Sequence, residues 1–333
     1  MDPDNDGRLH MEPRPKVFIC RTFPPAIVEP LARIAEVGSW PGDGAVPPDE
    51  LIRGVRGCRA VITTLTEPVG PDLLAEAEDL AVISQMAAGY DNIDLEAARS
   101  RGIVVTNTPG VTTEATADVA WLLILMVARQ APVARSDLLE GRWRSWEVWR
   151  WAGKDLAGAT LGVVGLGKIG AAVAARARGF GMQVVYHSRR RDPVAEERTG
   201  AEYCETLQDL LTVADVVSLH VPLSPATRHL IGQREFEAMR EGAILINTAR
   251  GGVVDEAALL AALDNGRLMG AGLDVFAQEP LDPASPLLRQ PRIVALPHIG
   301  SATVRTRTAM ARMAVENAIA VLTGQPEKAH RVI

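Results

Sequence analysis

A chain of 333 residues with 47% hydrophobic content exceeds the size at which a single core stops growing, so two globular domains are expected and disorder is excluded for the bulk. The formal net charge of -6 gives no general attraction to phosphate backbones or anionic lipid, which argues against nucleic acid and membrane as partners. Three cysteines, Cys20, Cys58 and Cys204, are odd in number and form no Cys-x-x-Cys pair, so reduced thiols are expected, with no disulfide framework and no metal site.

Residues 1–15 read as a polar N-terminal extension whose acidic start, from Met1 to Gly7, lacks an apolar h-region; with no targeting segment visible, a cytoplasmic protein is expected. Strands are then predicted at 16–20, 60–63, 81–84 and 103–106, and helices at 29–35, 49–53, 71–77 and 95–101, the alternation of a parallel sheet with helices on both faces. After the turn Thr108-Pro109-Gly110, Thr112 or Thr113 caps a long apolar helix to 128, with Glu114 in its first turn. Its uninterrupted apolar stretch, 119–128, is far short of the roughly twenty residues that cross a bilayer, so a buried helix is expected. Strands recur at 161–164, 183–186, 216–220, 243–247, 270–273 and 293–295, which describes a full doubly wound nucleotide domain. A final amphipathic helix over 304–322 needs a partner face and could return to cover the first domain.

The residues between the strand at 161–164 and the helix after it are Gly165, Leu166, Gly167, Lys168, Ile169 and Gly170. In that context the first glycine permits a tight turn, the second a close approach of backbone to a pyrophosphate, and the third close packing of helix on strand. The pyrophosphate then sits at the positive end of the helix.

Which dinucleotide is bound depends on the end of the next strand, where an NAD site places Asp or Glu against the ribose hydroxyls. Here the chain reads His187-Ser188-Arg189-Arg190-Arg191, and no carboxylate appears before Asp192. A guanidinium fork suits a 2'-phosphate, so NADPH is the expected cofactor, with Ser188, Arg189 and Arg190 as the discriminating residues and NADH as the second choice. The competing reading is a solvated basic loop.

Hydride transfer to a carbonyl needs a proton donor for the developing alkoxide, a fixed cation to polarise and orient the substrate, and a group that keeps the acid protonated. Arg250, Glu279 and His298 lie at or just past strand ends, the edge where open α/β sheets bind ligands, and suit these roles. A carboxylate bonded to an imidazole favours the charged ring and fixes its orientation. On spacing alone each has a rival reading: a surface ion-pair arginine, a loop carboxylate before proline, a satisfied strand-end histidine.

The stretches Gly89-Tyr90-Asp91-Asn92-Ile93-Asp94, the glycine turn, Asn247-Thr248-Ala249-Arg250-Gly251, Ala271-Gly272-Leu273-Asp274-Val275-Phe276 with Glu279-Pro280, and Pro297-His298-Ile299-Gly300-Ser301-Ala302 resemble the D-isomer-specific 2-hydroxyacid dehydrogenases. The resemblance runs from about Lys16 to Gly324. It implies an α/β protein of two doubly wound parallel-sheet domains: a dinucleotide-binding Rossmann domain over 109–296 and a flavodoxin-like substrate domain over 16–108 and 297–333, with an interdomain cleft. It places the catalytic roles on Arg250, Glu279 and His298. Asp274 is then expected to hydrogen-bond the nicotinamide amide, while Thr116, His220, Val221, Pro222, Thr227, Thr248, Ala249, Arg250, His298 and Gly300 line the cofactor. Substrate residues implied in the same way are Leu65, Ala88, Gly89, Arg250, His298 and Trp146, with backbone amides near Ala88 and Gly89 holding the carboxylate.

Within the family the chain is most similar to glyoxylate and hydroxypyruvate reductases, which favour NADPH, so reduction of a small 2-oxoacid to glycolate or D-glycerate is expected. Other 2-oxoacids such as pyruvate, and a non-enzymatic dinucleotide-sensing corepressor of the same fold, are the alternatives. Trp143, Trp146, Trp149 and Trp151 fall within nine residues, a density typical of an interface anchor. In the resembled reductases this region meets a second subunit, so a homodimer is expected; a patch buried within the chain is the rival reading.

Overall fold

The computed structural model describes residues 13–42 and 44–333, and most of the polar extension expected at 1–15 lies outside the described residues. The chain divides into two compact units, the first running to Pro109 and resuming as Arg307–Ile333, the second spanning Gly110–Thr306.

In the first unit, β1 (Lys16–Ile19), α1 (Pro25–Ala32), β2 (Glu36–Ser39), α2 (Pro48–Val55), β3 (Cys58–Thr63), α3 (Pro71–Glu76), β4 (Val82–Gln85), α4 (Leu95–Ser100) and β5 (Val104–Thr106) alternate along the chain. The five strands form a parallel sheet in the order β2-β1-β3-β4-β5, the flavodoxin-like arrangement. Successive β3 residues serve opposite faces: Val61 joins a core with Leu51, Val55, Leu74 and Ala98, and Ala60 and Ile62 join another with Ile27 and Leu31. A sheet covered on both faces explains the near-continuous apolar strands. β2 is the exception and was not expected from the sequence. Its residues Glu-Val-Gly-Ser are mostly exposed, and a short edge strand carries no core pattern; its backbone pairing with β1 defines it.

The second unit begins with α5 (Thr113–Ala128) and α6 (Ala131–Leu139). It continues through β6 (Thr160–Val164), α7 (Lys168–Ala177), β7 (Gln183–His187), α8 (Pro193–Thr199), β8 (Glu202–Tyr203), α9 (Leu207–Val213), β9 (Val216–Leu219), α10 (Gln233–Ala238), β10 (Ala243–Asn247), α11 (Glu256–Asp264), β11 (Leu268–Leu273), α12 (Pro286–Arg289) and β12 (Ile293–Ala295). The parallel sheet order is β12-β11-β10-β9-β6-β7-β8, which is the doubly wound dinucleotide-binding order extended by a seventh strand. One face packs Leu161, Val163 and Ile246 against Leu123, Ile124 and Val173; the other packs Val164, Leu219 and Leu245 against Leu210, Phe236 and Leu259. The two-residue β8 was too short to read from sequence. Thr112 stands at the N-cap of α5 as expected, but its side chain makes no capping bond.

The last helix, α13 (Val304–Leu322), has the bounds read from the sequence. Its Ala311, Ala314, Val315 and Ala318 lie in the core of the first unit, and Ser84 Oγ donates to the Ala314 carbonyl at 2.7 Å. Small residues on that stripe let the helix approach the sheet closely. Among the described residues no single helix is long and apolar enough to cross a membrane.

Candidate active site

The glycine turn joins β6 to α7 in the second unit. Gly165 has φ +96°, and a Cβ there would lie 2.8 Å from the His220 carbonyl oxygen; a Cβ on Gly170 would lie 2.1 Å from the Gly165 carbonyl oxygen. Both positions exclude a side chain, the first for the turn and the third for helix packing. A Cβ on Gly167 would meet nothing within 4 Å. That open place lies at the N-terminus of a ten-residue helix, where N–H groups and the helix dipole favour a phosphate. The backbone N–H of Leu166 donates to Ser188 Oγ at 2.8 Å, tying the turn to the end of β7, while Lys168 is exposed and Ile169 half-buried.

The three arginines after β7 divide in two. Arg191 bonds both oxygens of Glu196, at 2.8 and 2.9 Å, and hydrogen bonds from Arg191 and Tyr186 pull the Glu196 carboxyl down to about 2. Arg189 and Arg190 are exposed, and among the described residues neither makes a hydrogen bond or ion pair. Further along the same sheet edge, His220 Nε2 lies 2.8 Å from Ser218 Oγ, and burial lowers the His220 ring to about 4, which keeps it neutral. Val221 crowds the Gly165 position from that segment, with Cγ1 2.9 Å from where a Cβ would stand. Thr227 closes the next loop, donating to the Pro222 carbonyl at 2.6 Å and accepting from the Ser224 N–H at 2.8 Å. Thr248 Oγ1 is buried with no hydrogen-bond partner among the described residues, which costs free energy unless a ligand supplies the partner. The open Gly167 cradle and this orphaned hydroxyl both fit a bound dinucleotide.

Arg250, Glu279 and His298 all belong to the second unit and stand past β10, β11 and β12 respectively. The Asn247 side chain folds the first of these loops, accepting from the Ala249 N–H at 3.0 Å and donating to the Arg250 carbonyl at 2.9 Å. Arg250 Nη1 in turn donates to the Ala249 carbonyl at 2.8 Å. A Cβ on Gly251 would lie 1.8 Å from the Phe276 carbonyl carbon, so only glycine lets this loop rest against the one that carries Glu279. Glu279 Oε1 accepts the Phe276 N–H at 3.0 Å, and Oε2 lies 2.6 Å from His298 Nδ1. Burial pushes the Glu279 carboxyl up, but His298, the Phe276 N–H and the Arg250 charge outweigh it and hold Glu279 below the usual carboxylate range. An ionised Glu279 accepts a hydrogen bond from Nδ1–H of His298, which leaves Nε2 as the ring nitrogen available for proton transfer.

His298 has φ 53°, a left-handed conformation uncommon for a residue with a side chain and characteristic of functional sites. Asp274 holds it there. Each of its carboxylate oxygens accepts a backbone N–H at 2.7 Å, from Ile299 and from Gly300, and the Asp274 side chain is buried. Burial raises the Asp274 pKa while those two N–H groups oppose the rise. Thr116 Oγ1 donates to the Gly300 carbonyl at 3.2 Å, fixing the segment from the other side. The structure thus gives Asp274 and Thr116 a task that the sequence did not suggest, anchoring the loop that carries the imidazole.

In the first unit, Leu65 sits in the loop after β3, and Ala88 and Gly89 in the loop after β4, at the carboxyl edge of that sheet. The Leu65 loop is pinned by Glu67, which is fully buried and accepts from the Thr64 N–H at 2.8 Å and from Arg21 at 2.7 Å. Trp146 and Trp149 are 82% and 83% exposed and Trp143 56%. Trp151 departs from the expected cluster: its Nε1–H donates to Asp137 at 2.8 Å. Asp137 also receives Arg142 and Arg150, and hydrogen bonds from Trp151, Arg142 and Arg150 take its carboxyl down to about 2. Asp137 and Ser218 went unnoticed in the sequence because they belong to no motif; only the folded chain brings their partners to them.

The model of the D-isomer-specific 2-hydroxyacid dehydrogenase NAD-binding domain matches residues 121–300. A glyoxylate reductase of Thermococcus litoralis is 46% identical over 316 residues, covering 94% of this chain and 95% of its own length. Among solved structures, a protein of Thermus thermophilus is 45% identical with a TM-score of 0.89, covering 96% of this chain and all of its own. A glyoxylate/hydroxypyruvate reductase of Sinorhizobium meliloti, described as NADPH-dependent and solved with NADP and malonate, is 35% identical with a TM-score of 0.78 over 92% of this chain and 93% of its own. Matched over nearly its whole length, and with Arg250, Glu279 and His298 assembled on three neighbouring strand ends, the chain belongs to the D-isomer-specific 2-hydroxyacid dehydrogenases.

Proposed function

We propose that this enzyme reduces a small 2-oxoacid, glyoxylate or hydroxypyruvate, to glycolate or D-glycerate with NADPH as the preferred reductant. The observation that carries the reading is the 2.6 Å contact between His298 Nδ1 and Glu279: an ionised carboxylate that fixes the ring and leaves one nitrogen for proton transfer. The relatives described as glyoxylate reductases support the substrate class.

The nicotinamide dinucleotide would supply a hydride to the carbonyl carbon. Gly165, Leu166, Gly167, Lys168, Ile169 and Gly170 would hold its pyrophosphate, Ser188, Arg189 and Arg190 its 2'-phosphate, and Thr116, His220 to Pro222, Thr227, Thr248, Ala249, Asp274 and Gly300 its remaining length. His298 delivers a proton from Nε2 to the oxygen as negative charge develops there, and Glu279 stabilises the ring while it is charged. Arg250 pairs with the substrate carboxylate and polarises the carbonyl. Of the first unit's residues, we assign the Ala88 and Gly89 amides to the carboxylate and Leu65 to the substrate side chain.

Support for NADPH comes from Arg189 and Arg190, whose exposed forks are unpaired among the described residues and suit a phosphate. The exposed apolar residues Leu138, Leu139, Trp143, Trp146, Val148 and Trp149 support a homodimer, since a run of this kind is unusual on a lone surface. The three cysteines are free thiols, in keeping with a cytoplasmic setting. The reading is tested by following oxidation of NADPH and NADH with glyoxylate, hydroxypyruvate and pyruvate. Turnover is expected to be fastest with NADPH and one of the first two acids, and absence of turnover with every 2-oxoacid would overturn it.

A further inference from the structure

The carbonyls of the three peptides after Met86 are all held by donors within the first unit. The Ala87 carbonyl accepts the Thr108 N–H at 2.9 Å, the Ala88 carbonyl accepts Asn107 Nδ2 at 2.8 Å, and the Gly89 carbonyl accepts Gln85 Nε2 at 3.3 Å. In a trans peptide the N–H points opposite to the carbonyl. The N–H groups of Ala88, Gly89 and Tyr90 therefore point away from Thr108, Asn107 and Gln85, and among the described residues none of the three donates to a protein acceptor. Successive unclaimed N–H groups in a turn suit an anion.

The side chains that impose this orientation are themselves fixed. Gln85 is fully buried; its Oε1 accepts Thr63 Oγ1 at 2.7 Å, and its Nε2 also reaches Asn92 Oδ1 at 2.8 Å. Asn92 donates to the carbonyls of Thr64 at 2.9 Å and Glu67 at 2.7 Å, which links the turn to the Leu65 loop. The backbone of Asn107 is held at both ends, its N–H by the His330 carbonyl at 3.1 Å and its carbonyl by Asn317 Nδ2 at 2.9 Å. A buried polar network with its donors used is rigid, and rigidity in a binding loop lowers the cost of ordering on binding.

We propose that Gln85 and Asn107 are positioning residues for the substrate carboxylate: by tying back the carbonyls of Gly89 and Ala88 they keep the N–H groups of the same peptides, those of Tyr90 and Gly89, presented to one small carboxylate anion. This rests on the proposed reduction of a 2-oxoacid, and the two can fail separately. Wild-type turnover of glyoxylate tests that reading, whereas binding of oxalate, a non-reacting carboxylate, tests the positioning. Asn107 is the cleaner probe, because among the described residues its side chain bonds only the Ala88 carbonyl.

In Asn107→Asp the donor becomes an acceptor that repels the Ala88 oxygen, and in Asn107→Leu the donor is removed at similar size. Calorimetric oxalate affinity of the NADPH-saturated protein and the KM for glyoxylate are both expected to worsen by about tenfold or more in each variant, the scale of one lost hydrogen bond to a charged ligand. kcat, NADPH affinity and melting temperature should stay near wild type, which a merely structural role would not allow. Oxalate affinity and KM unchanged in both variants, a fall of kcat and NADPH affinity together with them, or failure of the wild-type protein to bind oxalate would each overturn the proposal.

Discussion

Arg191 spends its guanidinium on Glu196 through bonds of 2.8 and 2.9 Å, while Arg189 and Arg190 remain available, so three adjacent and chemically identical residues are expected to behave differently. Replacing Arg189 or Arg190 by Ala should weaken NADPH binding by about tenfold to a hundredfold, the range for a lost charge-assisted hydrogen bond, and leave NADH binding unchanged. Arg191→Ala should leave the NADPH-to-NADH affinity ratio as it is, and a titration of each variant with both cofactors separates the cases. At Glu279 the expected signature is a pH dependence of stability. Its folded-state pKa lies below the ordinary carboxylate value of 4.5, so its favourable contribution is full above that value and is lost as the pH falls through the lowered one. The gap in melting temperature between wild type and Glu279→Gln should therefore narrow as the pH is taken from neutrality to below 4.5. The arginine run and the Glu279 and His298 motifs were legible as sequence. The split within the run was not, because it depends on Glu196 and Tyr203 being brought to Arg191 by α8 and β8.

At the scale of elements, the glycine turn makes two opposite demands that alanine can separate. Gly170→Ala places a Cβ 2.1 Å from the Gly165 carbonyl oxygen and is expected to lower stability by about 1–3 kcal/mol, as overpacking does. Gly167→Ala meets no atom of the described residues within 4 Å and has ordinary negative φ, so the melting temperature should hold while NADPH affinity falls. Equal loss of stability in both variants would show that Gly167 is structural and does not face the cofactor. The strands that build this turn could be read from their apolar runs because both faces of each sheet are buried. β2 could not, being a mostly exposed edge strand, and neither could β8, whose two residues carry no pattern. Gly251 marks the same boundary: the sequence shows a glycine after Arg250, but only the structure, in which a Cβ there would stand 1.8 Å from the Phe276 carbonyl carbon, shows that it joins the arginine and glutamate loops.

For the whole molecule, the exposed tryptophans are the feature that one chain leaves unexplained. Asp137 gathers Arg142, Arg150 and Trp151 and so stiffens the segment that presents Trp143, Trp146 and Trp149. If that segment joins two copies, replacing Trp146 and Trp149 together by Ser should shift the sedimentation coefficient from dimer to monomer; a wild-type protein that sediments as a monomer would remove the basis for a homodimer. Four tryptophans within nine residues led to the expectation of an interface, and the structure assigns one of the four, Trp151, to the chain's own scaffold. Proton transfer from the imidazole is tested by the single-turnover rate of NADPH oxidation by glyoxylate in wild type and His298→Gln, with NADPH affinity measured on both. The expected result is a fall of about a hundredfold to ten-thousandfold, the usual contribution of a positioned acid, at unchanged NADPH affinity. A His298→Gln rate close to that of wild type would rule out His298 as the proton donor.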